Sequence, residues 1–147
     1  EQDAAWKSIS LGEFEFRQVV GVDDTVYVRA KDGSLLAVRH GEVRKLPTLA
    51  PCEVIARTTS GTLLAVFTNQ GFFTLVGGQW TKKAPYPSDV GDGEHTSYVA
   101  EFDGHLAFAT MSNPHIKPGS DPIVWTYTGV DALWTIEDGK IARVIIR

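Results

Sequence analysis

Thr62-Leu63-Leu64-Ala65 runs into Gln70-Gly71, then Phe72-Phe73-Thr74-Leu75, then Gly78 and Pro85. Upstream, Thr25-Val26-Tyr27-Val28 runs into Asp32-Gly33, then Leu35-Leu36-Ala37-Val38, then Gly41 and Pro47. Matching positions lie 37 or 38 residues apart. Self-similarity at such a period, carried by short apolar runs and Gly turns, is the signature of a repeat architecture. The runs are rich in Val, Ile, Phe, Tyr and Thr, and turn pairs such as Asp23-Asp24, Ser60-Gly61, Gly77-Gly78, Asp103-Gly104 and Asp138-Gly139 bound them. That spacing predicts antiparallel meanders and an all-β chain with almost no helix.

Three four-stranded units follow from this reading. The first has strands at 16–22, 25–31, 34–40 and 43–46, and the second at 53–59, 62–68, 72–76 and 79–83. The third is expected at 96–102, 105–112, 123–128 and 132–136. Trp80-Thr81 and Trp134-Thr135 then hold equivalent places on fourth strands, and Trp6-Lys7 matches them again. On that match, residues 6–10 and 140–146 are flanking strands belonging to units before and after.

A four-stranded meander repeated about every 40 residues resembles the blades of β-propellers. Trp followed by an inner strand, Gly and a small-x-aromatic strand is similar to tectonin-type and bacterial regulator-type blades. The chain lacks a Trp-Asp dipeptide at blade ends and the sialidase-type Ser-x-Asp-x-Gly-x-Thr-Trp box. The resemblance implies a single propeller-like region over residues 1–147, with blades near 14–47, 52–85 and 95–137. Three blades do not close a ring of about 4 to 8, and open strand edges invite pairing. Pairing with further blades, from a longer chain or another subunit, is therefore expected. A β-sandwich of many short strands is the competing fold, but it gives no reason for the repeat.

Composition excludes several function classes. The 147 residues are 43% hydrophobic and 22% charged, with a net charge of −4. Basic residues are scattered rather than striped, which argues against a nucleic-acid partner. The run Leu63–Phe67 is far below the roughly 18 apolar residues of a spanning helix, so no membrane span is expected. Cys52 stands alone, which rules out an internal disulfide, and its apolar sequel Val54-Ile55-Ala56 marks it as a buried thiol. The chain begins at Glu1 rather than Met, pointing to removal of an N-terminal segment. Frequent Trp, Thr and Gly in short strands suit an extracellular or periplasmic protein.

The repeat is broken twice. Residues 86–95 link units two and three, where Pro47 to Cys52 suffices between one and two. Unit three also carries an expanded connection at 113–122. Strands of a meander alternate in direction, so inter-unit links and second-to-third connections open on one face. Both expansions are therefore expected on the same face, where binding residues concentrate. The candidates for ligand binding are Asp89, Asp92, His95, Asn113, His115, Lys117 and Asp121. Pro114, Pro118 and Pro122 stiffen the second connection, which lowers the entropy lost on binding. Asp89, Asp92 and Glu94 bring oxygen donors of the kind Ca²⁺ takes, but their order does not match a calcium loop ending in Glu, so a solvated turn and no cofactor are expected. His95 and His115 sit in no spaced ligand motif.

No nucleophile elbow, zinc-helix or phosphate-loop motif occurs in the chain. The sequence thus reads as a non-enzymatic binding module that recognises a protein or a glycan with one face. Two alternatives stand beside it. One is a propeller hydrolase or lyase acting on saccharides, since all-β glycosidases place their carboxylates far apart in sequence. The other is a structural scaffold.

Overall fold

The computed structural model describes residues 8–86, 94–102, 105–112, 115–116, 125–126, 130–137 and 140–144, the more C-terminal of these mostly as backbone alone. These residues form strands and turns, with no helix among them. Sheet one is β1 (Phe16–Val22), β2 (Thr25–Ala30), β3 (Leu35–Arg39) and β4 (Glu42–Leu46), in that spatial order. Sheet two repeats the pattern with β5 (Cys52–Arg57), β6 (Leu63–Phe67), β7 (Gly71–Val76) and β8 (Gln79–Ala84). All neighbours pair antiparallel. Two-residue turns join several of the hairpins. Gly77 and Gly78 both take positive φ, 58° and 81°, as a turn matched to strand twist requires.

Sheet three corrects one assignment. It contains β9 (Glu94–Phe102), β10 (His105–Ser112), β13 (Val130–Glu137) and β14 (Lys140–Val144), in the order β14-β13-β10-β9. The expected third strand at 123–128 is absent from this sheet. Instead β10 pairs directly with β13, Leu106 opposite Ile136 and Ala109 opposite Leu133. Residues 115–116 (β11) and 125–126 (β12) make a separate small hairpin within the long connection. Trp134 therefore stands on a third strand, whereas Trp80 stands on a fourth, and the shared Trp-Thr dipeptide misaligned the unit. Residues 140–144 are likewise not a strand of another unit: β14 closes sheet three through the pairs Trp134–Arg143 and Glu137–Lys140. The expansion between second and third strands spans 113–129, against Thr68–Gln70 in sheet two. Of the expected first flanking strand, Ser8–Ser10 carry no strand and residues 6–7 lie outside the described residues.

The sheets stack through two cores. Between sheets one and two, Val22, Leu35, Ala37 and Leu46 meet Cys52, Ile55, Leu63, Ala65, Phe67 and Phe73. Phe67 lies edge-on to Phe73 and to Trp80, at centroid distances of 5.6 and 4.9 Å. Between sheets two and three, Val54, Leu64, Val66, Phe72 and Ala84 meet Leu106, Phe108 and Ile136. Sheet two is covered on both sides, which is why β6 reads Leu-Leu-Ala-Val-Phe without alternation.

Specific hydrogen bonds fix the stacking. The first strands β1, β5 and β9 stand side by side. The Gln18 side-chain amide exchanges two hydrogen bonds with the Ile55 backbone: Nε2 donates to the carbonyl at 2.7 Å, and Oε1 accepts from the N–H at 2.9 Å. The Trp80 indole donates to the Pro47 carbonyl at 2.8 Å. Glu101 on β9 accepts from the N–H and hydroxyl of Thr59, at 2.8 and 2.9 Å. Gly33 lets its turn abut the start of β5, since a Cβ there would lie 2.7 Å from the Cys52 nitrogen.

The outer face of sheet one is covered only in part: Val28, Ala30 and Leu36 on it are buried, while three valines toward the β1–β2 and β3–β4 turns stay exposed. By register, Val19, Val26 and Val43 match Ile55, Leu63 and Trp80 of sheet two. The sheet-two residues are packed against sheet one. Their counterparts in sheet one are 53%, 41% and 41% exposed.

Candidate functional site

Each first strand begins with an extra residue. In β1, Phe16 pairs with Ala30 and Gln18 with Arg29, leaving Arg17 without a partner. In β5, Cys52 pairs with Phe67 and Val54 with Val66, leaving Glu53. In β9, Thr96 pairs with Thr110 and Tyr98 with Ala109, leaving Ser97. These are β-bulges at one equivalent place in three sheets. A bulge re-aims the side chains around it and recurs next to functional sites.

All three bulged residues line one open cleft of about 830 Å³. Its walls add Gln18, Arg29 and Lys31 from sheet one, Cys52 and Thr68 from sheet two, and His95, Thr96 and Tyr98 from β9. The cleft lies at the end of the molecule where first strands start and second strands finish. That is the face onto which the second-to-third turns and inter-sheet links open, as strand alternation requires. The two expanded connections leave from this same end, since Ser112, before one, pairs with Glu94, after the other.

Of the residues expected from sequence, His95 lines the cleft, half-buried at the start of β9. His115 is placed by its backbone in the small hairpin, opposite Thr126. Asp89, Asp92, Asn113, Lys117 and Asp121 lie outside the described residues. Among the described residues no cluster of His, Cys, Asp or Glu is arranged to hold a metal. Sequence reading missed Arg17, Arg29, Glu53, Ser97 and Tyr98, because it looked to loops and these stand on strands. Aligning second strands would have exposed one of them: Arg29 holds the place where the other sheets carry Val66 and Ala109.

The polar groups of the cleft differ in how far they are satisfied. Glu53 is engaged: its Oε2 accepts from the Thr96 N–H at 2.7 Å, and the Tyr86 hydroxyl lies 3.0 Å from both oxygens. Asp32 accepts from the Ser34 N–H and hydroxyl, each at 2.9 Å, which holds its carboxyl below the usual range. Glu15 bridges Arg17 and Lys31 at the rim, each at 3.2 Å. Arg29 is the exception. Its Nη1 reaches the Cys52 carbonyl only at 3.4 Å, and its Nε is buried with no partner. Burial lowers its pKa, the nearby Arg17 charge lowers it further, and Glu53 opposes both. The hydroxyls of Thr96 and Ser97 are also buried without partners, a state that costs free energy unless something bonds them.

A second cavity of about 410 Å³ opens on the opposite face, between sheets two and three. There the Thr58 hydroxyl bonds those of Ser60 and Thr62, at 3.0 and 2.8 Å, and Glu101 is spent on Thr59. Those groups lock the β5–β6 turn against sheet three.

No family model matches the chain, and no curated protein matches it. Among solved structures it is similar to the extracellular domain of a protein described as a hybrid two-component system from B. thetaiotaomicron, with a TM-score of 0.52 at 11% identity. The likeness covers 90% of this chain and 22% of the other, so the chain spans about a fifth of that structure's length. At that identity the likeness is one of fold.

Proposed function

We propose that the chain is a recognition module, formed of three blades of a β-propeller, whose end-face cleft binds a protein or glycan ligand. The observation that carries the reading is the convergence of three equivalent bulges on one cleft. Bulges at identical register in three sheets place chemically different side chains, Arg17, Glu53 and Ser97, around a common opening. Side-by-side first strands support the propeller, and so do the exposed valines of sheet one, whose counterparts sheet two buries. A neighbour in fold that is an extracellular part of a two-component system fits a ligand-binding role outside the cell.

The saccharide hydrolase reading needs a carboxyl kept protonated as general acid. Among the described carboxyls lining the cleft, Asp32 is shifted the opposite way, and Glu53 is committed to Thr96 and Tyr86. The scaffold reading predicts no ligand dependent on the cleft. Screening the protein against a glycan array and a peptide library, then repeating each hit with Arg17→Ala/Tyr98→Ala, separates these readings. Recognition at the cleft predicts a loss of at least tenfold in affinity with an unchanged melting temperature. Hits that survive the double substitution at full strength overturn the reading.

A further inference from the structure

We propose that Arg29 is the receptor for an acid group on the ligand, and that the cleft takes an acidic saccharide, a uronate-bearing oligosaccharide. This rests on the reading of the cleft as the ligand site. The first ground is the repeat itself. The position across from the residue after the bulge is apolar in two sheets, Val66 and Ala109, both buried. In sheet one the same position is an arginine, and a half-buried cation is the costlier choice. The second ground is the state of the side chain. A guanidinium has five donors in a planar fork, and Arg29 uses one of them, at 3.4 Å. Among the described residues no carboxylate pairs with it: Glu53 is bound to Thr96 and Tyr86, Asp32 to Ser34, and Glu15 to Arg17 and Lys31. A carboxylate entering the cleft would meet the terminal nitrogens of the guanidinium, since Nε is buried.

The remaining lining points to a sugar as the body that carries the acid. Tyr98 stands 63% exposed on the cleft wall and offers a flat apolar ring with a polar tip. An acidic peptide would meet the same arginine, so its response is an outcome of the test.

The experiment is calorimetric titration with tetragalacturonate, with its full methyl ester, and with a tetraglutamate peptide. The substitutions are Arg29→Val, which restores the residue type of the other sheets, and Arg29→Lys, which keeps charge but not the fork. The acid is expected to bind at least tenfold more tightly than its ester. Arg29→Val is expected to abolish that preference while keeping or raising the melting temperature, and Arg29→Lys to recover only part of it. An arginine with a purely structural role would instead lower the melting temperature when replaced by Val. Equal binding of acid and ester overturns the assignment of Arg29 but leaves the cleft as a glycan site. Acid binding unaffected by Arg29→Val overturns it too. Binding of the peptide but not the tetragalacturonate overturns the saccharide class, and no binding of the acid at millimolar concentration overturns the proposal outright.

Discussion

Cys52 is nearly inaccessible, and its thiol donates to the Val54 carbonyl at 3.4 Å. Burial pushes its pKa up to about 12, with the neighbouring Arg29 charge opposing. The folded thiol thus stays neutral where an unfolded one ionises, so its contribution to stability is complete below about pH 9 and declines from there to about pH 12. A disulfide reagent at pH 8 is expected to label the native protein only at the rate of its opening, and rapid stoichiometric labelling would refute this. Gly71 makes a different demand. Its φ is 116°, and a Cβ there would run into the Ala84 carbonyl oxygen. Gly71→Ala is expected to cost about 3 kcal/mol, read as a lower denaturant midpoint with an unchanged slope. Both residues were visible in the sequence, as a lone cysteine before an apolar run and as a repeated glycine. Arg29 was legible only by aligning the second strands, where it stands against Val66 and Ala109, and its burial was not legible at all.

At the scale of elements, sheets one and two were legible almost strand for strand. Their turns are short, so apolar runs and Gly pairs mark both ends of each strand. Sheet three was only half legible. Its first two strands follow the same rules, but Trp125 and Tyr127 imitate a strand inside the connection, while the true third strand begins at Val130. Direct pairing of Met111 with Val130 brings the ends of that connection together without its help. Replacing residues 113–129 by a three-residue turn like Thr68-Asn69-Gln70 is therefore expected to leave the melting temperature within a few degrees. A collapse of β-sheet circular dichroism would show that the connection props up the sheet. Loss of His115 and Asp121 in the same variant also tests whether the connection adds to ligand binding at the cleft beside it.

For the molecule as a whole, the unbalanced feature is the valine face of sheet one. Its exposed residues Val19, Val26 and Val43 have counterparts in sheet two that lie under another sheet, and an exposed apolar patch marks an interaction surface. Val19→Lys/Val26→Lys is expected to reduce concentration-dependent association in sedimentation velocity while changing stability by only about 0.5 kcal/mol per site. Unchanged association would separate the face from assembly.

The Gln18 clamp bears on how such a protein resists templated growth. A strand at a sheet edge offers bare N–H and C=O groups on which a foreign strand can add. At Ile55 on β5 those two groups are already occupied, because the Gln18 amide copies the donor and acceptor of a peptide unit. Val19 holds the corresponding rung of β1, and no described residue clamps it. The capped rung on β5 thus denies an incoming strand its pairing groups at that place.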